Sequence, residues 1–127
     1  MKKEEGRMQN EEKNLIPRTK EFARRIIRLY VALPKGSVVA QVLGKQFLRS
    51  GTSVGANYRE ANRGRSKAEF IAKIGGCLKE ADETLYWLEL LSDENVVASS
   101  RLRLLLGETN ELVAIFTTIS KRARGDA

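Results

Sequence analysis

The sequence predicts an all-α fold, an antiparallel up-down-up-down bundle of four helices in one domain. A chain of 127 residues that is 42% hydrophobic suits a single core. Its two prolines, Pro17 and Pro34, leave the rest of the chain without the strongest helix breaker. Apolar residues recur every three or four positions and do not sustain the alternation typical of strands. Short connections between four such segments favour antiparallel neighbours.

A charged N-terminal stretch precedes the first periodic segment. Residues 1–14 contain four basic and four acidic residues and no apolar run, so we expect a mobile charged tail and neither a signal peptide nor an anchor. The first helix is predicted over Arg18 to Leu33, because Pro34 and Gly36 end the run. Its apolar positions are Phe22, Ile26, Ile27, Tyr30 and Leu33. The bundle domain is expected over residues 15–124, with 125–127 as the C-terminal end.

The second helix is predicted over Val38 to Asn62, with Ser37 as its N-cap. Three glycines, Gly44, Gly51 and Gly55, lie inside it. Each costs about 1 kcal/mol relative to alanine in a solvated helix, so we expect a compensating close approach to another backbone. The glycine face therefore predicts tight packing against a neighbouring helix.

The third helix is predicted to begin at a capping box formed by Ser66 and Glu69. From Phe70 to Leu91, apolar or small residues repeat at alternating spacings of four and three, which is the period of left-handed bundle packing. Over residues 85–91 only Glu89 interrupts the apolar run. Apolar side chains therefore point all round this part of the helix, and either the fourth helix or another subunit is expected to cover them.

The fourth helix is predicted over Ala98 to Arg124, after a polar turn at residues 92–95. Its apolar repeat runs from Leu102 to Ile119. The basic residues at its end, Lys121, Arg122 and Arg124, suit the negative pole of the helix dipole.

Polar residues on facing sides of the second and third helices predict a structural network that fixes their register. They are Ser53, Asn57, Glu60, Glu80 and Glu83. We expect Glu83 to accept a hydrogen bond from Arg59 or from a hydroxyl of the second helix.

The first two helices form the basic half of the chain. Residues 17–65 contain eleven Lys or Arg against two acidic residues, whereas residues 66–91 contain three basic and five acidic residues. Such a field attracts phosphates, so eight cations are candidates for binding an RNA or DNA backbone: Arg24, Arg25, Arg28, Lys45, Arg49, Arg59, Arg63 and Arg65. The alternative is an ordinary solvated face, with Arg59 or Arg63 paired to Glu80 or Glu83. No zinc finger, helix-turn-helix signature or aromatic RNA-binding platform accompanies the charge.

Enzymatic chemistry finds little support in this sequence. The chain contains no histidine, which removes the usual general base and the Glu-x-x-His pairs of di-iron bundles. Cys77 falls within the apolar repeat and is expected to be buried. Gly51 and Gly55 lie inside a helix and do not form a phosphate loop. We expect no catalytic residue, metal or cofactor, and a reducing cytoplasmic setting without a membrane span.

Four runs of residues carry a resemblance to a known family. They are QFLRSGTSVGAN at residues 46–57, REA at 59–61, SKAEF at 66–70 and KEADETLYWL at 79–88. In this order, within residues 15–122, the chain resembles the bacterial four-helix-bundle family related to proteins encoded in intervening sequences of large-subunit ribosomal RNA genes.

The resemblance implies a ring-forming homo-oligomer, typically a pentamer, and assigns no catalytic residue. The family is also similar to the accessory protein of diversity-generating retroelements, a basic pentamer associated with a reverse transcriptase and nucleic acid. Candidate subunit-interface residues are Phe47, Tyr58, Tyr86, Trp87 and Leu90. The function expected is a non-enzymatic assembly with a basic surface for RNA or DNA. The alternative is a protein–protein assembly module without a nucleic-acid role.

Overall fold

Four α-helices account for nearly all of the chain in the computed structural model, which describes the backbone of residues 2–125 and the side chains of residues 14–125. They are α1 (Lys2–Ala32), α2 (Val38–Asn62), α3 (Lys67–Asp93) and α4 (Ser99–Ala123). The described residues include no strand. The predicted all-α class and four-helix bundle are therefore confirmed.

The start of α1 differs from the prediction, since the helix begins at Lys2 and not at Arg18. Pro17 lies inside it and removes a single backbone donor. An interior proline costs about 3 kcal/mol, but Leu15 and Thr19 on either side of it are buried in the bundle, and this packing favours a continuous helix. The mobility predicted for residues 1–14 stays a prediction, because the side chains of residues 1–13 lie outside the described ones.

Serine caps define the starts of two helices as predicted. The Ser37 hydroxyl accepts from the amide of Ala40, and the Ser66 hydroxyl accepts from the amide of Glu69, both at 3.1 Å. The Glu69 carboxylate in turn accepts from the backbone amide of Arg65 at 2.7 Å, which completes the capping box one residue earlier than usual. These caps fix the two turns that reverse the chain on either side of α2.

Consecutive helices are packing partners, so α2 lies between α1 and α3, and α3 lies between α2 and α4. A single apolar core connects all four helices. Across this core the ring centroids of Tyr58 on α2 and Phe116 on α4 are 5.9 Å apart. The seam between α1 and α4 is joined by Arg18, whose guanidinium donates to Glu108 at 2.7 and 2.9 Å and to Glu111 at 2.6 Å.

The glycine face of α2 lies against α1, and its role is mainly to make room for side chains. A Cβ atom at Gly51 would lie 2.7 Å from Ile26 Cγ1, and one at Gly44 would lie 2.7 Å from Leu33 Cδ1. At Gly55 an added Cβ atom would also lie 3.5 Å from a backbone atom of the neighbour, the Thr19 carbonyl carbon. Tight packing is thus confirmed, and a close approach to the neighbouring backbone is seen at Gly55.

Candidate nucleic-acid interface

Three of the eight candidate cations are paired within the chain. Arg49 donates to Glu83 at 2.7 Å and to Glu80 at 3.2 Å. Arg24 and Arg28 share the carboxylate of Glu21 at 3.3 and 3.4 Å. These exposed pairs contribute little to stability, but they neutralise part of the positive field that the sequence predicted for this face.

Arg25 is separated from the other candidates. It is half-buried on the side of α1 that faces α4, where it lines a groove with Arg103 and Glu108. The pKa of the Glu108 carboxyl is lowered, chiefly by its hydrogen bonds from Arg18. Arg25 adds a smaller electrostatic contribution to that shift and therefore belongs to the α1–α4 seam.

The remaining four candidates, Lys45, Arg59, Arg63 and Arg65, are exposed and form no ion pair with other described residues. Arg59 and Arg63 are one helical turn apart near the end of α2, and Arg65 follows in the turn to α3. Lys45 lies on the same outward face of α2 but about 20 Å from Arg59 along the helix axis. The predicted basic surface is therefore divided, with three of its unpaired cations at one end of the bundle.

Further cations that the sequence reasoning did not select lie at the same end. Antiparallel topology brings together the end of α2, the start of α3 and the end of α4, as the Tyr58–Phe116 contact shows. Lys20 lies across a groove from Arg59. We call the whole set the cationic end: Lys20, Arg59, Arg63, Arg65, Lys67, Lys121 and Arg122. The antiparallel topology is what reveals this set, because it puts the start of α3 and the end of α4 at the same end of the bundle.

Acidic groups at the cationic end are already engaged. Glu60 accepts from Lys73 Nζ at 2.6 Å, and that hydrogen bond raises the pKa of the lysine. Glu69 accepts from the Arg65 backbone amide. Within the described side chains, the cations of this end are therefore left without carboxylate partners, and Arg59, Lys121 and Arg122 also suit the negative poles of α2 and α4.

A shallow groove between α1 and α2 runs beside these cations. Small residues, Ala23, Gly55 and Ala56, leave it open, and Ile16 forms part of its wall. Lys20 and Arg59 stand at its edges. A second depression next to it is lined by Ile16, Arg59, Asn62 and Arg63. The surface can therefore offer positive charge to a phosphate and apolar contact to a sugar or base.

The polar network between α2 and α3 forms with a different donor from the one predicted. Glu83 accepts from Arg49, not from Arg59, because the antiparallel register sets residues 49 and 50 against 80–84. The register also brings Glu60 to Lys73. Bonding to Glu83 raises the pKa of Arg49.

Two other predicted members, Ser53 and Asn57, form no hydrogen bond to α3 among the described side chains. The Ser53 hydroxyl donates to the carbonyl of Arg49 at 2.6 Å, and the side chain of Asn57 lies against Gly76. Ser50 and Thr84, which were not predicted, share a buried hydrogen bond of 2.7 Å.

Two of the candidate interface residues belong to the core of the chain itself. Phe47 and Tyr58 are 0% and 1% exposed, and the Tyr58 ring packs on Phe116. Their side chains are thus unavailable to another subunit. Trp87 and Leu90 are half-buried, and the buried indole nitrogen of Trp87 finds no hydrogen-bond partner among the described residues. Tyr86 is 57% exposed.

Cys77 has the properties of a buried apolar residue. It is 0% exposed, its thiol faces the Val54 carbonyl at 3.6 Å, and burial raises its pKa to about 12. The thiolate, which is the nucleophilic form, is strongly disfavoured there. No group of three or more acidic or cysteine residues in the described part is placed to hold a metal ion.

A comparison with models of protein families gives one match over most of the chain. Residues 11–118 match the family model described as 23S rRNA-intervening sequence protein. The chain belongs to this family. The match confirms the resemblance carried by the four runs, and it begins inside the predicted tail.

A solved structure supports the same assignment. It is the crystal structure of a protein of unknown function from the S23 ribosomal protein family of Bacteroides thetaiotaomicron. The two chains are 39% identical with a TM-score of 0.77, over 87% of this chain and 97% of that one. A comparison with curated proteins gave no match. No described helix of this family member is long and apolar enough to cross a membrane.

Proposed function

We propose that this family member is a non-enzymatic, cytoplasmic protein that binds the phosphate backbone of RNA or DNA through its cationic end. The supporting observation is the group of unpaired cations that the α2–α3 turn and the end of α4 bring together. Lys20 lies inside α1, and Lys67 is the first residue of α3, at the positive pole of that helix. Stabilisation of the helix dipoles therefore does not account for them.

The proposal includes self-association into a ring, with a pentamer as the expected form. A heterologous interface repeats one surface around an axis when the rotation closes. Each copy then adds its own cationic end to the same side of the ring. Repetition of this kind increases avidity for a long polyanion without any further contact within one subunit.

Recognition is expected to depend on backbone and shape more than on base sequence. The described cations are exposed Lys and Arg side chains, and no aromatic platform lies among them. Contacts of this kind position a nucleic acid but do not read its sequence. The family description points to RNA as the first ligand to test.

Matched variants with equal loss of charge test the site. In one, Arg59, Arg63 and Arg65 are changed to Gln; in the control, Arg24, Arg28 and Lys35 are changed to Gln. Binding of labelled RNA and DNA is measured by fluorescence anisotropy at low salt. We expect the first variant to bind about tenfold more weakly or worse, in line with the loss of up to three phosphate contacts, and the control to stay within about twofold. Equal losses, or no binding by the wild type, would refute the site.

A protein–protein assembly module is the second candidate function. The observation that favours it is the exposed apolar surface where α1 meets α2, with Val31 67% exposed. Its partner would be a protein such as a reverse transcriptase, as the resemblance implies. This candidate predicts a stable assembly with no detectable, salt-sensitive affinity for RNA or DNA.

A further inference from the structure

The outward face of α3 presents an aromatic residue between two carboxylates. Tyr86 is exposed, with Asp82 four residues before it and Glu89 three residues after it on the same face. Both carboxylates are exposed, and neither has an ion-pair partner among residues 14–125. We call these three residues the tyrosine face.

The outward faces of α1 and α2 have the complementary character. Four exposed aliphatic residues on them form what we call the valine surface: Ile27 and Val31 on α1, and Val38 and Val42 on α2. Lys45, one turn after Val42 on α2, is exposed and forms no ion pair with the described side chains. The valine surface is thus an apolar area with an unpaired cation at its edge. The tyrosine face is an apolar ring with unpaired carboxylates at its edges, so the charges of the two surfaces are opposite.

Contacts inside the bundle place the tyrosine face at the same height along its axis as Ile27, Val31 and Lys45. The Ser50–Thr84 hydrogen bond sets α2 and α3 level at these two residues. Lys45 is five residues before Ser50 and Glu89 is five residues after Thr84, so in antiparallel helices both lie about 7.5 Å above that bond. The contact of Ile26 with Gly51 sets the height of α1 relative to α2. The height of Tyr86 along the bundle axis is therefore between those of Ile27 and Val31.

We propose that the tyrosine face of one copy docks on the part of the valine surface formed by Ile27 and Val31 of the next, with Glu89 paired to Lys45 across the contact. This inference rests on the self-association in the proposed function and supplies its surfaces. Rotation about an axis parallel to the helices leaves heights unchanged, so only residues at equal height on the two faces can meet. The contact is heterologous, since the two surfaces differ.

The docking leaves the cationic end free. Arg59 and Arg63 lie on the opposite side of the Ser50–Thr84 level from Lys45, by about 13 and 20 Å. Copies related by the rotation therefore present their cationic ends together on one side of the ring. Assembly and nucleic-acid binding use separate residues and can be tested separately.

A charge exchange tests the pairing, with native mass spectrometry and sedimentation velocity as readouts. Lys45→Glu and Glu89→Lys each place like charges at the contact and are expected to raise the dissociation constant of the assembly at least tenfold. The combined variant restores opposite charges and is expected to return within about threefold of wild type. Tyr86→Ala should weaken assembly without altering charge. Lys121→Glu, at the cationic end, is the control and should assemble as wild type does.

This interface would be overturned if both single charge variants assembled as well as the wild type. It would also be overturned if each single variant weakened assembly and the combined variant did not restore it. A wild-type chain that stays monomeric would overturn the self-association itself. Circular dichroism of each variant establishes that it is folded. Anisotropy with RNA on the same samples shows whether the cationic end works independently of the interface.

Discussion

Replacement of Gly51 by alanine tests the close packing of α1 on α2. In a solvated helix this substitution would stabilise the protein by up to about 1 kcal/mol. Here the added Cβ atom would lie 2.7 Å from Ile26 Cγ1 and 2.9 Å from Ile26 Cγ2. Ile26 is fully buried, so it has no free space to occupy. Overpacking of this kind costs about 1–3 kcal/mol, and we expect a net destabilisation of about 1 kcal/mol.

Gly107→Ala is the matched control. A Cβ atom at Gly107, inside α4, would meet no atom within 4 Å. The expected result is a stabilisation of about 0.5–1 kcal/mol, so the two variants should differ in sign. Urea unfolding followed by circular dichroism, at one protein concentration, gives both free energies. Equal stabilisation by the two substitutions would refute the account of the glycine face.

Three further predictions concern single groups. Arg18 lowers the pKa of Glu108 from its ordinary value of 4.5, so the ionised carboxylate contributes its full stability above pH 4.5 and loses it as the pH falls through the lowered pKa. Urea midpoints measured against pH should therefore be less sensitive to acid in Glu108→Gln than in the wild type. Identical pH profiles for the two proteins would contradict this role of Glu108. Ser66→Ala removes the α3 cap and should cost about 1 kcal/mol of unfolding free energy, whereas Ser100→Ala, at an exposed position in the first turn of α4, should cost less. Cys77, buried with a pKa of about 12, should react with a thiol reagent only as the protein unfolds; rapid labelling of the native chain would show that the core is open.

Helix boundaries were the part of the fold most accessible from sequence. The bounds of α2 were predicted without error, because a serine cap and a glycine stop mark its ends. The start of α1 was wrong by sixteen residues. Proline is a strong stop signal in a sequence because it costs about 3 kcal/mol inside a helix. Here the residues on both sides of Pro17, Leu15 and Thr19, are buried in the bundle, and packing of this kind supplies most of the stability of a helix in a folded protein.

Pairing between helices was less accessible. The sequence identified the acceptors Glu80 and Glu83 but not their donor, because the relative height of two helices depends on the core contacts that fix their register. Arg18 was missed for the same reason, since its partner Glu108 is ninety residues away. Neither contact has a local signature in the chain.

The basic surface was predicted in composition but not in arrangement. Three selected arginines, Arg59, Arg63 and Arg65, lie at the cationic end, while Arg24, Arg28 and Arg49 are paired. Charge counts along the chain do not distinguish a paired cation from an unpaired one. The candidate interface residues likewise include both core and exposed residues. Apolar periodicity does not distinguish a core residue such as Phe47 from an exposed one such as Tyr86.

The salt dependence of RNA binding tests the central claim most directly. The logarithm of the wild-type association constant should fall linearly with the logarithm of salt concentration, by about 0.7 per phosphate neutralised on a single strand and about 0.9 on a duplex. Changing Arg59, Arg63 and Arg65 to Gln should reduce that slope by about 2 to 3, about one unit for each lost phosphate contact. A wild-type affinity that does not change with salt, or a slope that the substitutions leave intact, would contradict the proposal that the cationic end binds a nucleic-acid backbone.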